Sequence, residues 1–337
     1  MESAPTEIWY NTAMKYNISL LAAKKNLLAF SAGIDSSALF FLLIENHIPF
    51  DIAIVDYGMR KQSKEEVAHA KALAQKYELQ CHTAVAPKFE SHFEANARKF
   101  RYDFFETLIR EYGYDNLVTA HQLNDQLEWF LMRLTRGAGV SELLGLEPVS
   151  PRKNYTLIRP LLGYSKEELL SYLKENDHPY FVDESNEDEM YERNSFRKHF
   201  SDPLIAQYKE GIERSFAYLK EDKKRLENGY EVIFQQKALR VIKLHTMTMK
   251  AKAADIALKE LGYLLSASQR QEIEKEERLV IGGKWALETQ EDLLYIAPYE
   301  QVDMPKSFKE KCRILKIPHK IRPYLYITQI DLLSLKA

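Results

Sequence analysis

The run Asn26-Leu27-Leu28-Ala29-Phe30-Ser31 is short and apolar. After a turn of small residues, a second run, Ala38-Leu39-Phe40-Phe41-Leu42-Leu43-Ile44, is long enough for a buried helix. The pattern then repeats. Phe50-Asp51-Ile52-Ala53-Ile54-Val55 predicts a strand that stops at Asp56-Tyr57-Gly58, and the mixed polar and apolar positions of residues 63–77 predict the next helix. Further strands are predicted at residues 79–85 and 116–120, the latter leading into a helix over about 124–135. Strands alternating with helices imply an α/β domain built on a parallel sheet. Ligands of such sheets bind outside the carboxyl ends of the strands, so the loops after Phe30, Val55 and Ala120 are expected to face one site.

Farther along, Glu168-Leu169-Leu170-Ser171-Tyr172-Leu173 reads as a helix, with Ser165 and Glu168 as a capping box. Residues 183–197 are polar, and helical periodicity then runs to about residue 259. Residues 279–281, 285–289 and 293–296 read as short strands, separated by Gly282-Gly283 and by Glu291-Asp292. The change of texture sets a boundary near residue 200. The expected organisation is a catalytic domain over 1–200, a helical segment over 201–265, and a small α/β or β-rich unit over 266–337.

A chain of 337 residues suits two domains better than one, and 45% hydrophobic with 28% charged residues can form a sizeable core. The net charge of -2 leaves the question of an anionic partner to local charge. Cys81 and Cys312 stand far apart in no C-x-x-C pattern, against a disulfide scaffold or a cysteine-held metal. No signal-peptide pattern opens the chain and no run approaches the length of a membrane span, so a reducing cytoplasm and no membrane partner are expected.

Phosphates bind where backbone N–H groups converge at a helix start, which requires small residues for close approach. Ser31, Ala32, Gly33, Ile34, Asp35, Ser36 and Ser37 supply such a loop, with three hydroxyl donors and with Asp35 suited to a metal-bound phosphate or to bracing the loop. A plain strand-to-helix turn capped by Asp35 or Ser36 is the competing reading. The loop is neither the G-x-x-x-x-G-K-[ST] nor the G-x-G-x-x-G pattern. It resembles the S-G-G-x-D-S signature of the N-type ATP pyrophosphatases, with Ala32 at a usual glycine; an extended backbone there would accommodate alanine.

The second cluster runs from Ala120 to Gly139. Asp125 and Glu128 share a helix face and could hold Mg2+ through water; the competing reading is that Asn124 or Asp125 caps the helix and Glu128 faces solvent. His121, at a strand end, suits either a hydrogen-bonded core position or acid–base work. The segment resembles the A-H-H-x-D-D-Q-x-E-T-x-L-x-R-L-x-R-G-x-G signature of tRNA(Ile)-lysidine synthetases in Ala120, His121, Asp125, Gln126, Glu128, Leu131, Arg133, Leu134, Arg136, Gly137 and Gly139; Gln122, Asn124 and Trp129 depart from it. Asp56-Tyr57-Gly58-Met59-Arg60, the segment from Glu94 through Arg98 and Arg101 to Tyr102, Arg159-Pro160-Leu161-Leu162, Asp183-Glu184-Ser185-Asn186 and Tyr191-Glu192-Arg193-Asn194-Ser195-Phe196-Arg197 are similar, in order, to further motifs of that family.

This resemblance implies an adenine nucleotide alpha hydrolase-like fold and an ATP- and Mg2+-dependent ligase. Such an enzyme adenylates the wobble cytidine of CAU-anticodon tRNA(Ile) and then joins L-lysine to it, releasing AMP and pyrophosphate. It also implies that Arg98, Arg101, Arg136, Arg193 and Arg197 contact phosphate or cytidine rather than forming surface ion pairs. From residue 306 to 322 seven basic residues, among them Lys309, Lys311, Arg313, Lys316, Lys320 and Arg322, face one acid, Glu310, and their alternation with apolar residues suits a strand-borne tRNA surface. A homodimer is one assembly that the reading admits. A thiolase-type tRNA-modifying relative and a non-catalytic nucleotide- or RNA-binding relative are the alternatives.

Overall fold

A computed structural model describes residues 18–58, 61–89, 91, 93–182 and 192–335. Met59, Arg60, Asp183-Glu184-Ser185-Asn186 and Tyr191 of the sequence motifs lie outside the described residues. The chain divides into two compact units, residues 1–220 and 221–337.

The first unit holds a six-stranded sheet of order β3-β2-β1-β4-β6-β5, with β1 Asn26–Ala29, β2 Phe50–Asp56, β3 Cys81–Val85, β4 Asn116–Val118, β5 Val149–Pro151 and β6 Thr156–Ile158. All neighbours are parallel except the β5–β6 pair. Leu27, Leu28 and Leu117 are fully buried, because helices cover both faces; this is why these strands read as apolar runs rather than as alternation. The chain proceeds from β1 outward to β3 and returns on the other side of β1 as β4. The order therefore reverses at β1, opening a crevice beyond the ends of β1 and β4.

Helix α1 (Ile34–Glu45) follows β1 directly, and Ser36 to Leu43 are all buried. Such a helix has no polar face to give to solvent and must lie inside the unit. Phe40 anchors it through Phe30, Phe41, Phe50 and Tyr77, with ring centroids 5.6, 5.2, 5.3 and 5.6 Å away. Burying each ring contributes roughly 1.5–3 kcal/mol, so the start of α1 is held firmly at the crevice. The other helices of this unit are α2 (Lys61–Lys76), α3 (Phe93–Tyr112), α4 (Leu123–Leu134), α5 (Val140–Leu143), α6 (Lys166–Glu175) and α7 (Glu192–Phe196). A π-helical turn, Arg197–Ser201, leads from α7 into α8 (Asp202–Glu227).

The second unit corrects two expectations. The helical periodicity predicted to residue 259 is interrupted by β7 (Tyr230–Gln236) and β8 (Leu239–Leu244), which turn through Lys237 at φ 51°. β-branched and aromatic residues such as Val232, Phe234, Val241 and Ile242 favour the pleated form. With β9 (Arg278–Ile281), β10 (Trp285–Gln290) and β11 (Leu293–Pro298), they build an antiparallel sheet of order β7-β8-β11-β10-β9. Helices α9 (Lys250–Glu260) and α10 (Ala267–Lys275) bury Ala254, Leu258 and Ile273 with Ile242, Leu287 and Ile296 of this sheet.

The basic tail is helical rather than strand-borne. Helices α11 (Lys306–Ile314) and α12 (Arg322–Thr328), with Ile321 just before α12, pack Cys312, Ile321 and Leu325 with Val241, Tyr295 and Ala297. Phe308, Cys312 and Leu315 recur at intervals of four and three, a helical spacing that mixed basic residues obscure.

Candidate active site

The loop from Ser31 to Gly33 leaves β1 at the crevice, and its shape comes from its own side chains. Ser36 Oγ donates to Gly33 O at 3.2 Å and accepts from Ser31 N–H at 3.2 Å; Ser37 Oγ donates to Ala32 O at 3.2 Å. Ser31 Oγ lies 3.1 Å from Ser36 Oγ, so all three expected hydroxyls are engaged in folding the loop, and Ser31 is the exposed one. The turn is not capped as the plain reading requires: Gly33 is the N-cap of α1 and no side chain caps the helix. Backbone donors at the start of α1 are left for a ligand. Phe181 straps the loop by donating its N–H to Ala32 O at 2.8 Å.

Ala32 does not adopt the extended backbone expected of it. Its φ is 59°, the left-handed region where glycine is at ease, and its methyl is fully buried. Gly33, by contrast, is extended at φ -74° and ψ 172°.

The second loop ends β4 and begins α4. Gln122 caps α4: its side chain accepts from Asn124 N–H at 2.5 Å, and Asp125 Oδ2 accepts from Gln122 N–H at 3.1 Å. Glu128 is only 2% exposed, so it does not face solvent. Arg193 reaches both acids, through Nε to Glu128 and Nη2 to Asp125 Oδ1 at 3.2 Å. Arg197 Nη2 lies 3.1 Å from Glu128 Oε2 and 3.4 Å from Asp125 Oδ1. Burial pushes both carboxyls upward. For Asp125, His121, the two arginines and the Gln122 N–H outweigh burial and hold it below the ordinary range, whereas Glu128 stays raised.

These acids serve the arginines, and among the described residues no three carboxylate, imidazole or thiol groups converge as a metal cage. Asp35 is different. Its Oδ1 is buried without a hydrogen-bond partner, and burial, reinforced by the charge of Asp125, pushes its carboxyl up to about 7. A cation beside a phosphate would satisfy that oxygen and favour its ionised form. His121 accepts or donates one hydrogen bond, Nδ1 to Thr119 Oγ1 at 2.9 Å, and burial pulls it down to about 4. Near neutral pH it is an uncharged imidazole.

Both loops line one cleft of ≈ 1090 Å³, with Ser31, Gly33, Ile34, Asp35, Ser36, His121, Asp125, Arg101, Arg193 and Arg197 in its wall. Ile54, Val55 and Tyr57 at the end of β2 add an apolar side, and Arg101 hydrogen-bonds Tyr57. Arg98 and Arg136 are not lining residues: Arg98 lies over the Tyr102 ring at 4.7 Å, and Arg136 pairs with Glu192. Lys166 and Asp202 line the cleft unpredicted. The signal for Lys166 was its place directly after the Ser165 cap, at the start of α6; nothing in the local pattern singled out Asp202. Lys309, Lys311, Arg313 and Lys316 are exposed in the second unit, where Arg313 pairs with Glu310 and Lys316 with Glu291; Lys320 and Arg322 are half-buried.

Comparison with known proteins agrees with this geometry. The PP-loop domain family model matches residues 7–204. The tRNA(Ile)-lysidine synthase of Campylobacter jejuni is 48% identical over 319 residues, covering 94% of this chain and 97% of that protein. The synthases of Wolinella succinogenes and Helicobacter pylori are 44% and 42% identical, over 91% and 93% of this chain and 94% and 92% of theirs. Among solved structures, a U34-tRNA thiolase from Methanococcus maripaludis shares the fold at a TM-score of 0.50 and 17% identity, over 62% of this chain and 78% of its own. A glycine-poor loop on a left-handed alanine, at the switch point of a parallel sheet, is therefore this chain's form of the PP-loop, and the chain belongs to the tRNA(Ile)-lysidine synthase family.

Proposed function

We propose that this chain is a cytoplasmic tRNA(Ile)-lysidine synthase. ATP adenylates the C2 oxygen of the wobble cytidine in CAU-anticodon tRNA(Ile), with loss of pyrophosphate; the ε-amine of free L-lysine then attacks C2 and AMP leaves. The observation that carries this reading is one cleft in which an uncapped helix start, an unpartnered carboxylate oxygen and two arginines meet beyond β1 and β4.

The N–H groups at the start of α1, with Ser31, suit the phosphates of ATP, and Ile54 and Val55 suit an apolar base. Asp35 is the residue that would hold Mg2+, which supplies charge neutralisation to the leaving pyrophosphate. Arg193 and Arg197 carry positive charge to the reacting phosphate while Asp125 and Glu128 fix their orientation. Arg101 suits phosphate or cytidine from the Tyr57 side. His121, uncharged, is able to take the proton released by the attacking amine.

No helix among the described residues is long and apolar enough to cross a membrane. Cys81 is half-buried and Cys312 buried, each unpaired, which gives a thiolase no cysteine pair. The test is to incubate the purified protein with ATP, Mg2+, lysine and a tRNA(Ile) transcript and to analyse the nucleosides by mass. Lysidine with stoichiometric AMP and pyrophosphate is expected. Bound tRNA without either product would overturn the reading.

A further inference from the structure

Position 124 is where this chain leaves the acid pair of its family signature, with Asn124 before Asp125. The Asn124 side chain is buried and both its ends are used. Nδ2 donates to Asp202 Oδ1 at 2.7 Å, and Oδ1 accepts from Lys166 N–H at 3.2 Å. An aspartate at 124 would set two carboxylates against each other unless they shared a proton; the amide removes that conflict. The carboxylate absent from the start of α4 is thus present one hydrogen bond away, at the start of α8.

The acids of the cleft wall are Asp35, Glu66, Asp125 and Asp202, and the surroundings of Asp202 differ from those of Asp35 and Asp125. Asp125 and Glu128 are neutralised by Arg193 and Arg197, and Asp35 sits at the phosphate loop. Asp202 lines the same cleft half-buried, forms no ion pair with any described residue, and is fixed by a neutral amide. Its charge is near enough to act on Asp35. A carboxylate oriented by a neutral donor in a partly desolvated wall keeps its full charge for an incoming cation, and an ammonium group gains most there.

Building on the lysidine-synthase reading, we propose that Asp202 contacts substrate by receiving an ammonium group of free lysine, and that Asn124 is the positioning residue that aims it. The acid that the family signature carries at 124 is carried in this chain at 202.

The two half-reactions of the full-length enzyme separate this role from others. Adenylated tRNA is formed from ATP, Mg2+ and tRNA(Ile) without lysine, and lysidine formation is then followed against lysine concentration. D202N should raise the KM for lysine by about tenfold or more, the scale of one charge-assisted hydrogen bond, while adenylation proceeds and its Mg2+ dependence moves far less than the KM for lysine. N124D should also raise that KM, and N124D/D202N, which exchanges acid and amide, should bring it back to within a few-fold of the parent. An unchanged KM in D202N overturns the proposal, as does a shift confined to the Mg2+ dependence, which would make Asp202 a metal contact. Equal loss of thermal stability and both half-reactions in D202N and in the exchanged double variant also overturns it, because the pair would then be structural only. A parent enzyme that makes no lysidine would instead sink the reading on which the proposal rests.

Discussion

Asp35 and His121 are shifted in opposite senses, so across one window, from about pH 4 to 7, they act on the folding stability of the site with opposite sign. Asp35 is raised from 3.8 to about 7, so between those values the folded chain holds a proton that the unfolded chain has released, and stability falls as pH rises across that window. Asp35→Asn removes this loss. Its urea-unfolding stability relative to the parent should climb from about pH 4 to 7, by up to roughly 4 kcal/mol, and level off above; equal pH profiles would contradict the buried, unpartnered carboxyl. The same variant should lose adenylation while retaining tRNA affinity. His121 is lowered from 6.5 to about 4, so the folded chain there holds fewer protons and stability falls as pH drops through that range. Ala32 is a different case. A left-handed alanine costs about 1–2 kcal/mol, but its buried methyl returns roughly 0.8 kcal/mol and glycine would lose about 0.4–1 kcal/mol through the unfolded state. Ala32→Gly should therefore move the urea midpoint by less than about 1 kcal/mol equivalent, and a large loss would mean the loop depends on that methyl for shape. The sequence exposed the unusual residue at 32 but not its φ, because backbone angle there is set by the strap from Phe181 and by the serine bonds around it.

At the scale of elements, α7 and the π-helical turn after it are fixed to α4 by charge. Glu128 and Asp125 are nearly inaccessible, so removing a guanidinium leaves an under-compensated buried carboxylate, at a cost on the order of 3 kcal/mol. Arg197→Met should raise amide hydrogen exchange across residues 192–201 and the facing turn of α4 and leave the antiparallel sheet of the second unit unaltered. Exchange that stays as slow as in the parent would mean apolar packing, not the ion pairs, holds the turn. The helix starts were legible to different degrees. Ser165 and Glu168 form the capping box that their spacing predicts, because both partners lie within one turn. The start of α4 is capped by Gln122, one of the departures from the family signature, and the expected cap at Asn124 is engaged instead with Asp202 and Lys166. In the tail, alternation of charge and apolarity suggested a strand, but the 308, 312, 315 spacing that meets the sheet is helical.

At the scale of the whole molecule, the acids and arginines of the cleft lie in the first unit, and the exposed basic face of α11 lies in the second. If that face meets tRNA, Lys309→Glu with Lys311→Glu should weaken binding and reduce the slope of log K against log salt by roughly one for each phosphate no longer neutralised. A slope equal to the parent's, measured by filter binding across a salt series, would exclude α11 from the RNA surface. What the sequence determined by itself is the alternation of apolar runs and helices, hence the parallel sheet, and the clustering of chemistry at strand ends: strands buried on both faces and loops of small polar residues leave local signals. Tertiary structure alone decided the partners. Arg193 meets Glu128 across 65 residues, Arg197 meets Asp125 across 72, and Asn124 meets Asp202 across 78. Whether a carboxylate binds an arginine or awaits a cation depends on which distant side chains share its low-dielectric pocket, and no local pattern encodes that.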